Sequence, residues 1–189
     1  MICSQSMSKH PMKKVTFDYI VNKYIADYRE KNAREYRFYK IQPNLEKAIE
    51  VAALSKLPSG KRHWHQRRIP RSVLEQARCR LLVAKVDECK SFSQLIEKTS
   101  QELENIKGIG DLTVYDIAHR TGLYLGLEPE MVYLHAGTRT GAKAIGLGRG
   151  QQTLYVEDIP EAFRSLNPSE IEDCLCIYKD ELKMISRKY

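Results

Sequence analysis

From Val15 to Lys40 the apolar and aromatic residues Phe17, Ile20, Val21, Tyr24, Ile25 and Tyr28 recur at three- and four-residue steps. That spacing lays one stripe of an α-helix against a core. The end of the run, Tyr36-Arg37-Phe38-Tyr39-Lys40, is aromatic and basic, and in a helix it is expected to pack on its neighbour. A second helix opens near Pro43, carries Leu45, Ala48, Ile49, Ala52, Ala53 and Leu54, and stops at Pro58-Ser59-Gly60. Pro58 to Pro70 then reads as a basic loop. A third helix from Pro70 or Arg71 buries Val73, Leu74, Ala77, Leu81, Leu82 and Val86. Ser91 or Ser93 caps a fourth that holds Phe92, Leu95 and Ile96.

Further on, Leu103 and Ile106 lead into a turn at Lys107–Gly110 and a helix from Asp111 to His119 or Arg120, with Gly122 as its stop. Pro129-Glu130 opens another helix through Val132, Leu134, Ala136, Ala142 and Ile145, loosened by Gly137 and Gly141. Gly146–Gly150 reads as a flexible loop, and Ile159–Leu166 and Pro168–Ile185 as two closing helices. Strand character is confined to Thr153–Val156. The expected fold class is therefore all-α, with residues 1–60 as an N-terminal helical extension packed on a main domain of residues 61–189. No repeat of fixed period interrupts this reading.

Composition narrows the class. Of 189 residues 42% are hydrophobic, enough for one good-sized core or two small ones. Cys3, Cys79, Cys89, Cys174 and Cys176 are odd in number and irregular in spacing, which argues against a disulfide scaffold and for a reducing compartment. The first residues lack the apolar stretch of a signal peptide, Met7 and Met12 could serve as alternative starts, and no membrane-length apolar run follows. A cytoplasmic protein with no membrane partner is expected. The net charge of +7 favours anionic partners, nucleic acid first. Its distribution says more. Between Lys61 and Arg80 stand seven basic residues (Lys61, Arg62, Arg67, Arg68, Arg71, Arg78, Arg80) against Glu75 alone, and from Met131 to Val156 there is no acidic residue, only Arg139, Lys143 and Arg149.

The most informative run is Leu103-Glu-Asn-Ile106-Lys-Gly108-Ile109-Gly110-Asp-Leu112-Thr113-Val114-Tyr-Asp-Ile117-Ala118. Two glycines around one apolar residue permit a tight turn with exposed main chain, and the free N–H groups of the following helix suit a phosphate oxygen. These residues resemble the helix-hairpin-helix DNA glycosylases, whose hairpin reads Leu-Pro-Gly-Val-Gly-x-Lys-Thr-Ala. Val132-Tyr133-Leu134-His135 is similar to the Val-Asp-x-His segment that follows in that family, so the resemblance covers about residues 91–147. It implies an all-α glycosylase-like fold whose hairpin grips the DNA backbone, with Lys107, Gly108, Ile109, Gly110 and Thr113 at the contact. It also implies a monovalent cation on the main-chain carbonyls of Glu104, Ile106 and Ile109.

The departures matter as much. Leu112 stands where bifunctional members carry the attacking lysine, and Tyr133 where the family carries its aspartate. Leucine can neither attack nor take a proton, and a tyrosine with an ordinary pKa near 10 cannot supply a carboxylate's charge. The four-cysteine pattern of iron–sulfur members is absent, and Cys174 with Cys176 cannot hold such a cluster. The expectation is thus a DNA-binding protein without chemistry of its own, largely indifferent to sequence, of the kind that serves DNA repair. Arg67, Arg68, Arg139 and Lys143 are the side chains expected to reach phosphates, with Arg139 foremost.

Other features carry plainer readings beside sharper ones. Trp64 could stack on a base, and more often such a residue covers a core edge. His63 and His65 with Cys79, or with Cys174 and Cys176, form the only conceivable zinc set, and none has the usual ligand spacing. Asp116 and His119 suit a structural ion pair better than acid–base work. Two rival functions remain: a divergent glycosylase or lyase whose carboxylate is Asp116 or a residue of the N-terminal extension, and a protein-interaction module in a DNA-processing or defence assembly. A perturbed carboxyl in a pocket beside the hairpin would favour the first. An apolar surface around Gly108–Gly110 would favour the second.

Overall fold

The structure, a computed structural model, describes residues 15–186; Cys3, Met7 and Met12 lie outside the described residues. It is mostly helical, as expected for an all-α chain. Thr16 opens α1 (Phe17–Tyr24), its hydroxyl accepting from the Tyr19 N–H at 3.1 Å. A π turn at Ile25–Arg29 joins α1 to α2 (Glu30–Lys40). The extra residue in that turn rotates the buried stripe. Ile20, Val21 and Tyr24 therefore enter one core, and Tyr39 at the far end meets Val51 and Leu123 in a small separate cluster. Then follow α3 (Leu45–Ala53), α4 (Arg71–Val83), α5 (Phe92–Leu103), α6 (Asp111–Leu125), α7 (Ala136–Ala144), α8 (Pro168–Ile177) and α9 (Lys179–Ser186). Asn44, Ser91 and Asn167 cap α3, α5 and α8 with their side chains.

Two cores result. Ile49, Ala53, Ala77, Leu81, Phe92, Leu95, Leu103, Ile106, Ile117 and Ala118 join α3, α4, α5 and α6. Ile20, Tyr24, Val132, Leu154, Phe163, Ile171, Leu175 and Leu182 join α1 to α8, α9 and a two-stranded ribbon. The ribbon pairs β1 (Val132–Tyr133) antiparallel with β2 (Thr153–Leu154). The division expected at residue 60 matches neither core, because α1 belongs with the C-terminal helices and α3 with the central ones.

Several local expectations are corrected. Gly122 does not stop α6: the helix runs on to Leu125 and ends at Gly126, whose φ of +73° supplies the left-handed turn. Gly122 is small because the Leu127 carbonyl crosses over it. Residues from Pro129 do not open a helix. Val132 and Tyr133 pair with β2, and α7 starts only at Ala136. Gly137 and Gly141 do not loosen α7; they let α8 approach, since a Cβ would collide with Cys176 Sγ at the first and with the Leu175 carbonyl at the second. Residues 156–165 form two 3-10 turns in place of one helix. Among the described residues no helix is long and apolar enough to cross a membrane, and Cys79, Cys89, Cys174 and Cys176 are free thiols.

Candidate functional site

The turn between α5 and α6 is built almost entirely from main chain. Leu103 and Ile106 are buried in the central core and anchor it, with Ile109 and Val114 packed against the same core. The Ile106 N–H donates to the Leu103 carbonyl at 3.0 Å, and the Ile109 N–H to the Ile106 carbonyl at 3.1 Å. Gly108 takes φ +100°, a conformation side chains disfavour. Gly110 is the extended N-cap of α6, its carbonyl accepting from the N–H groups of Thr113 at 2.8 Å and Val114 at 3.0 Å. Among the described residues no hydrogen bond engages the N–H of Gly108, Gly110, Asp111 or Leu112. Unpaired amides at the start of a 15-residue helix carry its positive dipole end. Lys107, Gly108 and Gly110 are exposed, whereas Thr113 is buried and faces the protein. Asp111, also exposed, places one carboxylate beside these amides.

The start of α4 lies against this turn: a Cβ on Gly108 would sit 3.7 Å from Val73 Cγ1. The first turn of α4 is thereby brought next to the turn, and the members of the basic stretch that leads into and along α4 differ. Arg62 donates to the Ile69 carbonyl at 2.7 Å, Arg80 to the Glu102 carbonyl at 3.1 Å, and Arg78 pairs with Glu75 at 2.8 Å. Lys61, Arg67 and Arg68 are exposed, and among the described residues no ion pair holds them. Arg139 is placed otherwise than its sequence position suggested. Its guanidinium donates to the carbonyls of Gln151 and Leu134, each at 2.6 Å, and to Gln152 Oε1 at 2.9 Å, strapping α7 to the ribbon. Lys143 is exposed on the same helix.

Between α5, the first turns of α6 and the ribbon runs a groove of about 650 Å³, lined by Ser93, Ile96, Val114, Tyr115, Tyr133 and His135 among others. Tyr133 faces it, its hydroxyl 3.2 Å from Ser93 Oγ, and burial raises its pKa further from that of an acid. The acidic residues of the groove are Glu97 and Asp111. The carboxyls that the protein pushes upward are elsewhere: burial raises Glu35, and burial with the charge of Glu172 raises Asp173 well above its ordinary range. Asp173 accepts from Asn32 at 2.8 Å and Tyr24 at 3.1 Å. Behind the groove His135 Nε2 lies 2.6 Å from Glu172 Oε1. Burial opposes the charged ring, but the hydrogen bond and charge of Glu172 outweigh it and raise the pKa.

A second constellation, spread over distant residues, sits where the 55–66 loop meets α6. Ser55 is fully buried in a left-handed conformation, φ +55°, and its hydroxyl donates to Gln66 Oε1 at 2.7 Å. Gln66 in turn donates to Asp116, and the buried Arg120 donates to Ser55 Oγ at 3.1 Å while lying 3.5 Å from Asp116 Oδ2. Burial alone would raise the Asp116 carboxyl; Arg120, His65 and Gln66 hold it well below the usual range instead. His65 Nδ1 is 3.4 Å from Asp116 Oδ2, and His63 lies beside it, its pKa lowered to about 4 by burial and by Arg120. Trp64 between the two histidines is 72% exposed and does not cover a core edge. The partner that the histidines meet is Asp116, not a cysteine, so the zinc sets built on Cys79, Cys174 and Cys176 are not those the fold assembles. The His-x-His spacing on a basic loop was the one local signal of this cluster. Comparisons with family models, curated proteins and solved structures find no match for the chain.

Proposed function

We propose that this protein binds nucleic acid, duplex DNA foremost, with the α5–α6 turn as a helix-hairpin-helix of the glycosylase type. The observation that carries the reading is the set of N–H groups at the start of α6, those of Gly108, Gly110, Asp111 and Leu112, that no hydrogen bond engages among the described residues. Such amides coordinate a phosphate oxygen without reading the base sequence. Arg67 and Arg68 on the neighbouring loop add unpaired charge, and Lys107 adds one more at the turn. Arg139 is not among these contacts, because its donors are already engaged within the protein. The carbonyl of Ile106 accepts from Ile109, while those of Glu104 and Ile109 remain for the monovalent cation that the resemblance implies. With Leu112 and Tyr133 in place of a lysine and an aspartate, this site binds and does not cleave.

Fluorescence anisotropy of labelled duplex DNA over a salt series tests the reading. Binding should weaken steeply with salt, and Gly110→Val should abolish it with the fold intact by circular dichroism, since space around Gly110 is open and a side chain there covers the amides. Binding that is absent at low salt, or unchanged in Gly110→Val, would make the turn a packing or protein contact instead.

A further inference from the structure

The donor atoms of His63, His65 and Asp116 all lie within 4.8 Å of one another. We propose that these three side chains bind one first-row divalent metal ion of the zinc type. One pair gives the measure. Zinc–nitrogen and zinc–oxygen bonds of about 2.0–2.2 Å at a tetrahedral angle put two ligand atoms roughly 3.4 Å apart. His65 Nδ1 and Asp116 Oδ2 are separated by 3.4 Å. At that distance the contact is longer than an ordinary hydrogen bond, and among the described residues the buried His65 Nδ1 has no other partner. Two polar atoms that face each other at this distance leave room for a cation between them.

The surroundings hold the donors in place. Gln66 and Arg120 both engage Asp116 through the same Oδ2 that faces His65, so they fix the carboxylate's orientation. The loop is pinned by the His63 N–H donating to the Ser55 carbonyl at 2.8 Å, by the Ser55–Gln66 bond and by the bridge between Lys56 and Arg62. The left-handed Ser55 stores strain of order 1 kcal/mol at the base of the loop. Outer-shell bonds of this kind fix ligand orientation. Two imidazoles and one carboxylate suit zinc, cobalt or nickel better than magnesium or calcium. Three protein ligands leave a coordination position for water, the pattern of reactive centres more than of closed structural ones. Arg120 competes for the same carboxylate, so the affinity should fall below that of a closed four-ligand centre. The assignment stands whether or not the α5–α6 turn grips phosphate.

The test uses tag-free, chelator-treated protein titrated with Co²⁺ and followed by its visible d–d bands, with Zn²⁺ displacement as the second reading. One equivalent should bind without a thiolate charge-transfer band, and Zn²⁺ should displace it. The double variant His63→Ala/His65→Ala should lose binding by tenfold or more, Gln66→Ala should weaken it, and Cys79→Ser should leave it unchanged. The histidine variants decide the question, because they lie on a partly exposed loop and keep the Asp116–Arg120 pair that the fold needs. Absence of stoichiometric binding, survival of binding in the folded double variant, or a thiolate band lost in Cys79→Ser would overturn the proposal.

Discussion

The α5–α6 turn and the junction at His63–Gln66 sit on the same helix, yet they are built from opposite materials. The turn is main chain, contiguous in sequence and open to solvent; the junction is side chain, drawn from the 55–66 loop and the middle of α6, and largely buried. A main-chain site needs only the right glycines and a helix behind them, so it tolerates change in most side chains. A side-chain site fails when one partner goes, because burial raises the cost of every unpaired group.

The largest effect that would sharpen this contrast is therefore expected at Asp116. Asp116→Ala strands the guanidinium of Arg120, which is 5% exposed, and should cost about 3–5 kcal/mol in urea unfolding. Replacing both partners by apolar residues of similar volume should recover much of the loss. A loss below about 1 kcal/mol for the single variant would show the junction to be wetter and less coupled than its geometry indicates.

Next in size is a pH effect from His119, buried on α6 among Tyr36, Tyr115 and Phe92. Burial lowers its pKa from 6.5 to about 4, Arg120 adding to the shift and Asp116 opposing it. With a depressed folded pKa, the unfolded chain takes the proton first as pH falls. Stability is thus full above pH 6.5 and drains away toward pH 4, by about 3 kcal/mol for a shift of this size. His135 works in the other direction: its folded pKa is raised, so its contribution is present at low pH and lost as pH rises through that value. Denaturant midpoints measured across this range should slope less in His119→Gln than in the wild type. An unchanged slope would place the acid sensitivity elsewhere.

How much of this was readable beforehand follows from the same contrast. The helices around Ile20, Leu74, Leu95 and Ile171 announce themselves by periodicity, and the Lys107–Gly110 turn by its glycines, because each is a local pattern. Gly122, Gly137 and Gly141 have the local pattern of breakers, but what keeps them small is neighbouring backbone or side chain packed over them, which no local pattern contains. Pro129 does not start a helix because Val132 and Tyr133 pair with Leu154 and Thr153 of β2, partners distant in the sequence. Arg139 looked like a free cation until the ribbon brought it three acceptors. The pairing of His65 with Asp116 joins residues whose only relation is the path of the chain.

Within the turn itself the expected loss is smaller. Gly108→Ala must hold a Cβ at φ +100°, which should cost about 1–2 kcal/mol, while its 3.7 Å distance to Val73 adds no clash. Gly110→Ala, in extended backbone with open space, should be nearly neutral in the same unfolding measurement. Equal losses at the two glycines would break the account of the turn as one strained and one relaxed position.

The smallest effect on stability is expected where the proposed function is most exposed. Arg67 and Arg68 project from the loop with no ion pair among the described residues, so Arg67→Ala/Arg68→Ala should move stability by no more than about 0.5 kcal/mol. If both contact phosphates, each releases close to one counterion, and the slope of log affinity against log salt should flatten by roughly 2. The weakening should be uniform across DNA sequences, because a phosphate contact carries no base information. The same double variant should leave Co²⁺ binding at His63, His65 and Asp116 untouched, since neither arginine is bonded to those side chains. A flattened salt slope with intact metal binding would separate the two regions as independent devices on one helix. A variant that loses both would show that the segment from Ser55 to Arg68, not the individual charges, is the element the two regions share.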